Sequence, residues 1–450
     1  MRRLALLATL CGAGCSALLN FHECDTSKDC AGRTPSGGAP LYCNSEHQCI
    51  DTTPCAVSVD ATAAGAPLVI AGLYKTSGPN DVNDHAIRQA GDLAATELNT
   101  NGVPVRHVVC DTAGDPMQAR LALKIAVQQF HAVGVVGPDT SGEVLSGIAP
   151  VVQQYGAVVV SPSATNPAIA DVPDGNLIWR TCPSDNLQAK VLAMLVPSAM
   201  AATLDIVYVS HNSYADGLEK AFVSASGRSD AKTIPFDTGG AASVVTQMNA
   251  PAWALLIADT DAPDLVKALH GAPGQAMTQY LMTDSALAPT LWGAAPYDFS
   301  YLGRIRGTAP ALPAFSDPSG PVYAAFKSSY MGVFHEDPAN TAFVANAYDA
   351  FYAIAIGGGA AGARPTGAAI AANLQRMSDH AGTPVQVGSL NYQRGVNALA
   401  GGGTIDLVGT SGPIDFDDRG DIVSAPIEVW QVTKDAGGAP TFTTVMTITP

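Results

Sequence analysis

The 450-residue chain has few charged side chains and an excess of acidic ones. Charged residues make up 14% of the sequence, and 39 Asp and Glu residues outnumber 23 Lys and Arg, which gives a formal net charge of −16 at pH 7. No run of Lys and Arg occurs. Nucleic acids bind to clusters of basic side chains. We therefore expect no nucleic-acid partner.

The sequence also lacks the common motifs of catalysis and metal binding. It contains no G-x-S-x-G nucleophile elbow, no P-loop and no H-E-x-x-H, and its nine histidines are scattered without paired metal-ligand spacing. We predict a protein that is not an enzyme and has no metal or cofactor. Hydrolysis is a third alternative only, because the polar loops described below have no obvious general base beside them.

Long apolar stretches are missing, and the N-terminus instead resembles an export signal. The apolar run Leu4–Leu10 follows Arg2 and Arg3 and is too short to span a bilayer as a helix. Small residues and then Cys15 come next, which resembles a bacterial lipobox, although Gly12 stands where leucine is usual. We predict a signal peptide over residues 1–15 and a lipid on Cys15 that anchors the protein to a membrane, facing the periplasm. The alternative is ordinary cleavage nearby and a secreted or soluble periplasmic protein.

Closely spaced cysteine pairs, which are typical of zinc sites, are absent. Five cysteines between residues 24 and 55 are instead separated by five, twelve, five and five residues. This spacing predicts a disulfide-linked segment over residues 16–58, in an oxidising compartment, with open connectivity. Farther along the chain, Cys110 and Cys182 either form a disulfide with each other, or one of them forms a disulfide with the cysteine that has no partner within the segment. The five clustered cysteines are Cys24, Cys30, Cys43, Cys49 and Cys55.

After a small-residue linker at 59–67, strand and helix patterns alternate. A helix is predicted over residues 84–98, and another begins at Pro116 with Asp115 as its cap. The alternation restarts after Asp185. Repeated βαβ units predict parallel sheets covered on both faces, and the chain is too long for one ordinary core. The predicted fold class is therefore α/β, with two doubly wound parallel-sheet lobes after a Cys-rich segment. The predicted strands are Leu68–Tyr74, Val105–Cys110, Ala132–Gly137, Gly156–Val160, Leu204–Val209, Trp253–Ala258 and Gln279–Thr283.

Three loops rich in Ser and Thr follow predicted strands of the first lobe. They are "KTSGP" (Lys75–Pro79), "PDTSG" (Pro138–Gly142) and "SPSATNP" (Ser161–Pro167). Doubly wound sheets bind ligands at this carboxyl edge. A helix is predicted to begin at Ser141 or Gly142, where its N-terminus suits an anion such as a carboxylate. The alternative is that Ser141 and Thr165 only cap helices.

Together with "IWRTCPSD", "AYDAFY" and "GPIDFDDRGD", these loops resemble the leucine/isoleucine/valine-binding branch of the type I periplasmic solute-binding proteins, over residues 66–432. The resemblance implies two lobes that are joined by three crossovers, near residues 180–185, 305–310 and 395–405, and that close on a ligand. The implied segments are 68–183 and 307–398 for lobe I, and 184–306 and 399–450, with the tail, for lobe II.

The resemblance also implies roles for individual residues. Ser141 would place its hydroxyl on a ligand carboxylate, Ser163 would offer a backbone carbonyl, and Thr165 a hydroxyl and an amide. Tyr214 would cover the ligand on closure. Asp284 would accept a hydrogen bond from a ligand ammonium, or would cap a helix instead. The predicted ligand-binding residues are Ser77, Ser141, Ser163, Ala164, Thr165, Tyr214 and Asp284.

The function that the resemblance implies is extracytoplasmic capture of an amino acid or similar small polar ligand for an ABC transporter, whose permease would be the protein partner. A ligand-sensing receptor module without a transport role is the alternative. Adjacent permease and ATPase genes would support transport, whereas turnover of an amide or ester would support the hydrolase. The ligand's identity stays open, because the residues that select its side chain cannot be placed from the sequence.

Overall fold

A computed structural model describes residues 23–33, 41–43, 47–77, 82–199 and 201–450. The predicted signal peptide and Cys15 lie outside these residues, as do Gly78 and Pro79 of the first polar loop. The boundary between two compact units falls between Ala56 and Val57. None of the helices in the described ranges combines the length and the apolar composition that crossing a membrane requires.

The first unit is small and disulfide-linked. A 3₁₀ helix, Ser27–Arg33, precedes strands β1 (Tyr42–Cys43) and β2 (Cys49–Ile50), which pair in antiparallel orientation. Disulfides join Cys24 to Cys43 and Cys30 to Cys49. The predicted disulfide framework is therefore confirmed, and these four thiols are not available to a metal.

A six-stranded sheet has the strand order β3-β5-β4-β6-β7-β8. From β5 to β8 the neighbouring strands are all parallel. Strand β4 lies between β5 and β6, so the strand order reverses there. The strands are β3 (Cys55–Val59), β4 (Leu68–Tyr74), β5 (Val105–Asp111), β6 (Gly134–Val136), β7 (Val158–Ser161) and β8 (Ile178–Arg180).

The second sheet has seven strands in the order β10-β9-β11-β12-β13-β16-β17. Its first five strands are parallel, whereas β16 and β17 run antiparallel. The order reverses at β9, between β10 and β11. The strands are β9 (Leu204–Val209), β10 (Lys232–Phe236), β11 (Trp253–Ile257), β12 (Gln279–Met282), β13 (Ile305–Pro310), β16 (Ile427–Lys434) and β17 (Pro440–Ile448); β14 (Thr383–Gln386) and β15 (Ile405–Val408) form a separate parallel pair.

Helices cover both sheets, so the two predicted doubly wound lobes are confirmed. The α-helices are α1 (Val82–Thr100), α2 (Pro116–Phe130), α3 (Val152–Tyr155), α4 (Asp185–Leu195), α5 (Ser213–Ser226), α6 (Ala241–Gln247), α7 (Ala262–Leu269), α8 (Phe299–Leu302), α9 (Gly320–Phe334), α10 (Val344–Ala360), α11 (Gly367–Leu374) and α12 (Tyr392–Ala400). Asp115 caps α2 as predicted, and accepts hydrogen bonds from the N–H groups of Met117 and Gln118.

Helix α10 lies against strands β4, β6 and β7 and is buried on nearly every face. The apolar pattern of residues 339–355 fits a single helix, but α10 begins only at Val344. Phe343 has a φ of 68°, and this left-handed conformation separates α10 from the short 3₁₀ helix Pro338–Asn340. An apolar periodicity does not reveal such a break.

Three crossovers join the lobes. The chain passes from β8 to α4, leaves the second sheet after β13 and returns to it at β16. The return at Ile427 is later than the predicted position at 395–405. The difference arises because β15 pairs with β14, beside α12, before the chain crosses.

The cysteines of the main body do not pair with each other. Cys110, in β5, is disulfide-bonded, whereas Cys182 is a buried free thiol. The predicted alternative of a Cys110–Cys182 bond is therefore wrong. Cys182 lies at the first crossover, where its Sγ is 3.5 Å from the carbonyl oxygen of Ala164.

Candidate ligand-binding cleft

A cleft of about 440 Å³ lies between the two lobes, a size typical of small-molecule sites. Its walls come from loops that follow β4, β5, β6 and β7 in one sheet and β9, β11 and β12 in the other. These loops include the switch points of both sheets, where doubly wound folds bind ligands. The lining residues are Lys75, Asp84, Ile87, Ala113, Gly114, Pro116, Asp139, Thr140, Ser141, Gly142, Ser146, Ser163, His211, Asn212, Ser213, Tyr214, Thr260, Asp284, Ser285 and Phe343.

The lobe I wall begins where β6 ends. Gly137 has a φ of +100°, and a Cβ there would lie 2.3 Å from the carbonyl oxygen of Leu73. Only glycine fits this close approach to β4. The loop then forms a capping box, in which the Glu143 carboxylate accepts from the Thr140 N–H and hydroxyl at 3.1 and 2.7 Å, and the Thr140 hydroxyl accepts from the Glu143 N–H at 3.2 Å.

This capping box changes two predictions for the loop. The Thr140 hydroxyl, not that of Ser141, accepts from a helix N–H, and the helical turn at Ser141–Gly142 continues into a six-residue π-helix, Glu143–Ile148, with the Glu143 carboxylate at its N-terminal end. The predicted anion site at a helix N-terminus therefore competes with Glu143. The Ser141 hydroxyl instead accepts from the Asn166 N–H at 3.2 Å, and joins two of the predicted polar loops.

The lobe II wall is organised around Tyr214 and Asp284. The Tyr214 hydroxyl is 2.6 Å from an Asp284 carboxylate oxygen, to which it donates, and 2.7 Å from the Thr283 hydroxyl. Gln188 donates its amide N–H to the same Asp284 oxygen at 3.0 Å. Thr283, and not Asp284, occupies the cap position of the 3₁₀ turn that follows. The structure therefore does not show the alternative role of Asp284, which was to cap a helix.

Buried carboxyl groups dominate the electrostatics of both walls. Burial and the neighbouring carboxyl of Asp84 raise the pKa of Asp139 well above its usual range. On the other side, Asp185 is fully buried behind Asp284, and burial together with that neighbour raises the pKa of Asp185 in the same direction. Burial also raises the pKa of Glu143. In the cleft lining itself, the carboxyl groups of Asp84, Asp139 and Asp284 outnumber the ammonium group of Lys75.

The structure brings four of the predicted residues to the cleft: Ser141, Ser163, Tyr214 and Asp284. The other three lie elsewhere. Ser77 is exposed and interacts with the Asp111 carboxyl. Ala164 is fully buried, and its carbonyl accepts from Arg180. Thr165 is 3% exposed, and its hydroxyl lies beside the Asp185 carboxyl, behind the wall.

Asn166, rather than Thr165, caps the turn after "SPSATNP". Its side-chain oxygen accepts from the Ala168 N–H at 2.8 Å, and its side-chain N–H group donates across the cleft to the carbonyl oxygen of Ser213. Gly217, one turn into α5, is so close that a Cβ would lie 2.4 Å from the Asn166 side-chain nitrogen. One side of the cleft is therefore bridged by a direct contact between lobes.

The sequence patterns did not indicate several of the lining residues. Lys75 and Asp139 lie in the predicted loops "KTSGP" and "PDTSG" and Asp84 lies in a predicted helix, but the sequence patterns do not single out any of the three side chains. Ala113, His211 and Phe343 have left-handed φ angles of 51°, 60° and 68°. Such conformations are costly for residues other than glycine and cluster at binding sites, but no sequence signal reveals them.

Two doubly wound lobes, three crossovers and a polar cleft between the lobes define a two-lobe ligand-binding protein. The sequence model of the periplasmic binding protein family matches residues 67–435. The chain therefore belongs to this family.

Individual relatives agree with this assignment. The chain is 28% identical over 380 residues to the chemotactic signal transduction system substrate-binding protein BasB of Halobacterium salinarum, covering 78% of this chain and 84% of that one. It is also 28% identical over 182 residues to Leu/Ile/Val-binding protein homolog 3 of Brucella melitensis, covering 40% of this chain and 49% of the relative.

Solved structures show the same fold. The branched-chain amino acid transporter substrate-binding protein LivJ of Streptococcus pneumoniae, in complex with isoleucine, has a TM-score of 0.63 at 18% identity and covers 86% of this chain and 100% of its own. A solute-binding protein of an ABC transporter from Rhodopseudomonas palustris, in complex with 4-hydroxybenzoate, has a TM-score of 0.66 at 14% identity. The match covers 85% of this chain and 97% of the other chain.

Proposed function

We propose that this protein captures an amino acid or a similar small polar ligand between its two lobes, outside the cytoplasm, and delivers it to an ABC transporter permease. The observation that carries the proposal is the pairing of Tyr214 with Asp284 at the cleft, opposite the Ser141 and Ser163 wall. A carboxylate that accepts from neutral donors such as Tyr214 and Gln188 can also accept from a ligand ammonium, because each carboxylate oxygen accepts more than one hydrogen bond. The reported ligands of the relatives are small molecules, which supports the same proposal.

Binding works by lobe closure in this proposal. Asp284 belongs to the lobe II wall and Ser141 to the lobe I wall. A ligand therefore contacts both residues only when the lobes meet. A ligand that binds the closed state better shifts the population toward it. The hydrogen bond between Asn166 and Ser213 belongs to the same set of contacts across the cleft.

A thermal-shift screen against amino acids, amides and short peptides tests the proposal. A ligand that binds only the folded protein stabilises it by about 2.7 kcal/mol at a hundred-fold excess over its Kd. We expect at least one such compound to raise the melting temperature and to make the protein more compact in small-angle scattering. Turnover of an amide or ester during the same incubation would favour a hydrolase instead.

The membrane anchor is part of the proposal and depends on Cys15. Lipid chains on this residue would hold the protein at a membrane surface. We expect radiolabelled palmitate to be incorporated into the wild-type protein and to be lost in Cys15→Ser. Cys11→Ser, which changes the other cysteine near the export signal, is the matched control and should retain the label. An unlabelled wild-type protein would mean that the protein is secreted or soluble in the periplasm.

A further inference from the structure

A histidine and two aspartates from three separate segments meet beside the β14–β15 pair, and none of the three lines the cleft. His380 precedes β14, Asp406 belongs to β15, and Asp415 lies in the segment between β15 and β16. Each of these residues offers one nitrogen or oxygen atom, and these three atoms lie within 4.8 Å of one another. Imidazole nitrogen and carboxylate oxygen are both common metal ligands.

The present contacts among the three side chains are not good hydrogen bonds. The His380 Nδ1 is 3.5 Å from an Asp406 oxygen, and its Nε2 is 3.8 Å from the Asp415 Oδ1. Both distances are longer than a normal N–H···O hydrogen bond. Among the described residues, none hydrogen-bonds to the Asp415 Oδ1, although this atom is shielded from solvent. A shielded carboxylate oxygen without a partner is costly.

The charges of this cluster favour a divalent cation over a proton. Burial and the nearby Asp406 carboxyl raise the pKa of Asp415. In the part of the chain that the structure describes, the ion pairs of both carboxylates involve His380 and no Lys or Arg. A protonated His380 supplies one positive charge against two negative ones. A divalent ion beside a neutral imidazole supplies two, so the charges of the ion and the two carboxylates cancel.

We propose that His380, Asp406 and Asp415 form a divalent-cation site. One imidazole nitrogen and one oxygen from each carboxylate bind the ion, and water completes its coordination. The His380 side chain is 74% exposed, so its ring has room to turn one nitrogen toward both carboxylates. Mixed nitrogen and oxygen ligands suit Zn²⁺, whereas Ca²⁺ and Mg²⁺ prefer oxygen ligands alone. This site departs from the expectation of a protein without a metal, because its ligands are far apart in the sequence.

An ion at this position ties together three segments near the third crossover. Phe416, the neighbour of Asp415, packs against Trp179 with ring centroids 5.1 Å apart. Farther along the same segment, Asp421 pairs with Arg180 at the first crossover. The cation would therefore stabilise the stretch of chain that leads from β15 into the second sheet.

Calorimetric titration of the untagged, chelator-treated protein with zinc chloride tests the site. We expect one Zn²⁺ per chain, and a higher melting temperature with Zn²⁺ than without it, because the ion binds only the folded arrangement. His380→Gln should weaken this binding about ten-fold or more, since it removes the nitrogen ligand. Asp406→Asn should weaken it to a similar extent. The exposure of the His380 side chain makes its replacement compatible with folding.

Two variants control for zinc binding by unrelated surface groups. His335→Gln changes another exposed histidine, and Asp418→Asn removes an exposed carboxylate close to Asp415 in the chain. Both should keep the affinity of the wild type. Absence of zinc binding by the wild type, or equal affinities of the wild type and His380→Gln, would overturn the site and leave a surface ion pair. Calcium chloride that binds as tightly as zinc chloride would also overturn it, because a nitrogen ligand disfavours Ca²⁺.

Discussion

Arg180→Met should destabilise the protein by about 3–5 kcal/mol, because the change leaves a buried carboxylate without its partner. The Arg180 guanidinium is fully buried and donates two hydrogen bonds of 2.6 Å to Asp421, in a bidentate pair. It also donates to the carbonyl oxygens of Ala164 and Asn166 at 3.2 and 2.9 Å. One side chain therefore connects the first crossover, the approach to the third crossover and the "SPSATNP" loop.

The measurement is the free energy of unfolding in guanidinium chloride. Arg419→Met is the matched control, because Arg419 pairs with Asp171 at 3.3 Å on the surface, where the two side chains are 58% and 78% exposed. Exposed pairs contribute about 0–1 kcal/mol. The double variant Arg180→Met/Asp421→Leu should recover part of the loss, since no unpaired charge remains. A loss in Arg180→Met no greater than in the control would contradict this account of the crossover.

Gly217→Leu should weaken ligand binding about 5- to 150-fold without unfolding the protein. A Cβ at this position already lies 2.4 Å from the Asn166 side-chain nitrogen of the other lobe. Overpacking typically costs about 1–3 kcal/mol, and here the cost applies only when the lobes are together. The expected result is a lower affinity for whichever compound the thermal-shift screen finds, and less compaction in small-angle scattering.

Gly332→Leu is the control for this variant. Gly332 lies in α9, and no atom would be within 4 Å of a Cβ there. Both changes put leucine into a helix in place of glycine, so their effects on helix propensity are similar. An equal loss of affinity in both variants, or full compaction of Gly217→Leu with ligand, would show that closure does not bring α5 against Asn166.

Most of the fold could be predicted from the sequence because its signals are local. Apolar runs such as Leu68–Tyr74 alternate with helical patterns, and Asp115 followed by Pro116 marks a helix start. The crossover into β16 could not be located in this way, because it depends on β15 pairing with β14. Strand pairing over that distance leaves no periodicity in the sequence.

The site was predictable only in part. The carboxyl ends of strands indicated the loops that contain Ser141 and Ser163, since parallel sheets bring those ends together. The partnership of Tyr214 with Asp284 spans 70 residues and depends on the register of the second sheet. Asp139 could not be singled out for another reason, because Asp is a common turn residue whose side chain often hydrogen-bonds to its own backbone, as it could in "PDTSG".

The most direct test of the central claim compares wild-type protein with Asp284→Asn, by calorimetric titration with amino acids and with their amine-free analogues. Asparagine keeps the size of Asp284 and can still accept from Tyr214, but it removes the charge that attracts an ammonium. We predict that the wild type binds at least one amine-bearing compound and prefers it to its amine-free analogue. In Asp284→Asn, the affinity for that compound should fall about ten-fold or more, while the affinity for the analogue is retained. Equal affinities of the two proteins for the amine-bearing compound would contradict ligand capture by Asp284 in this cleft.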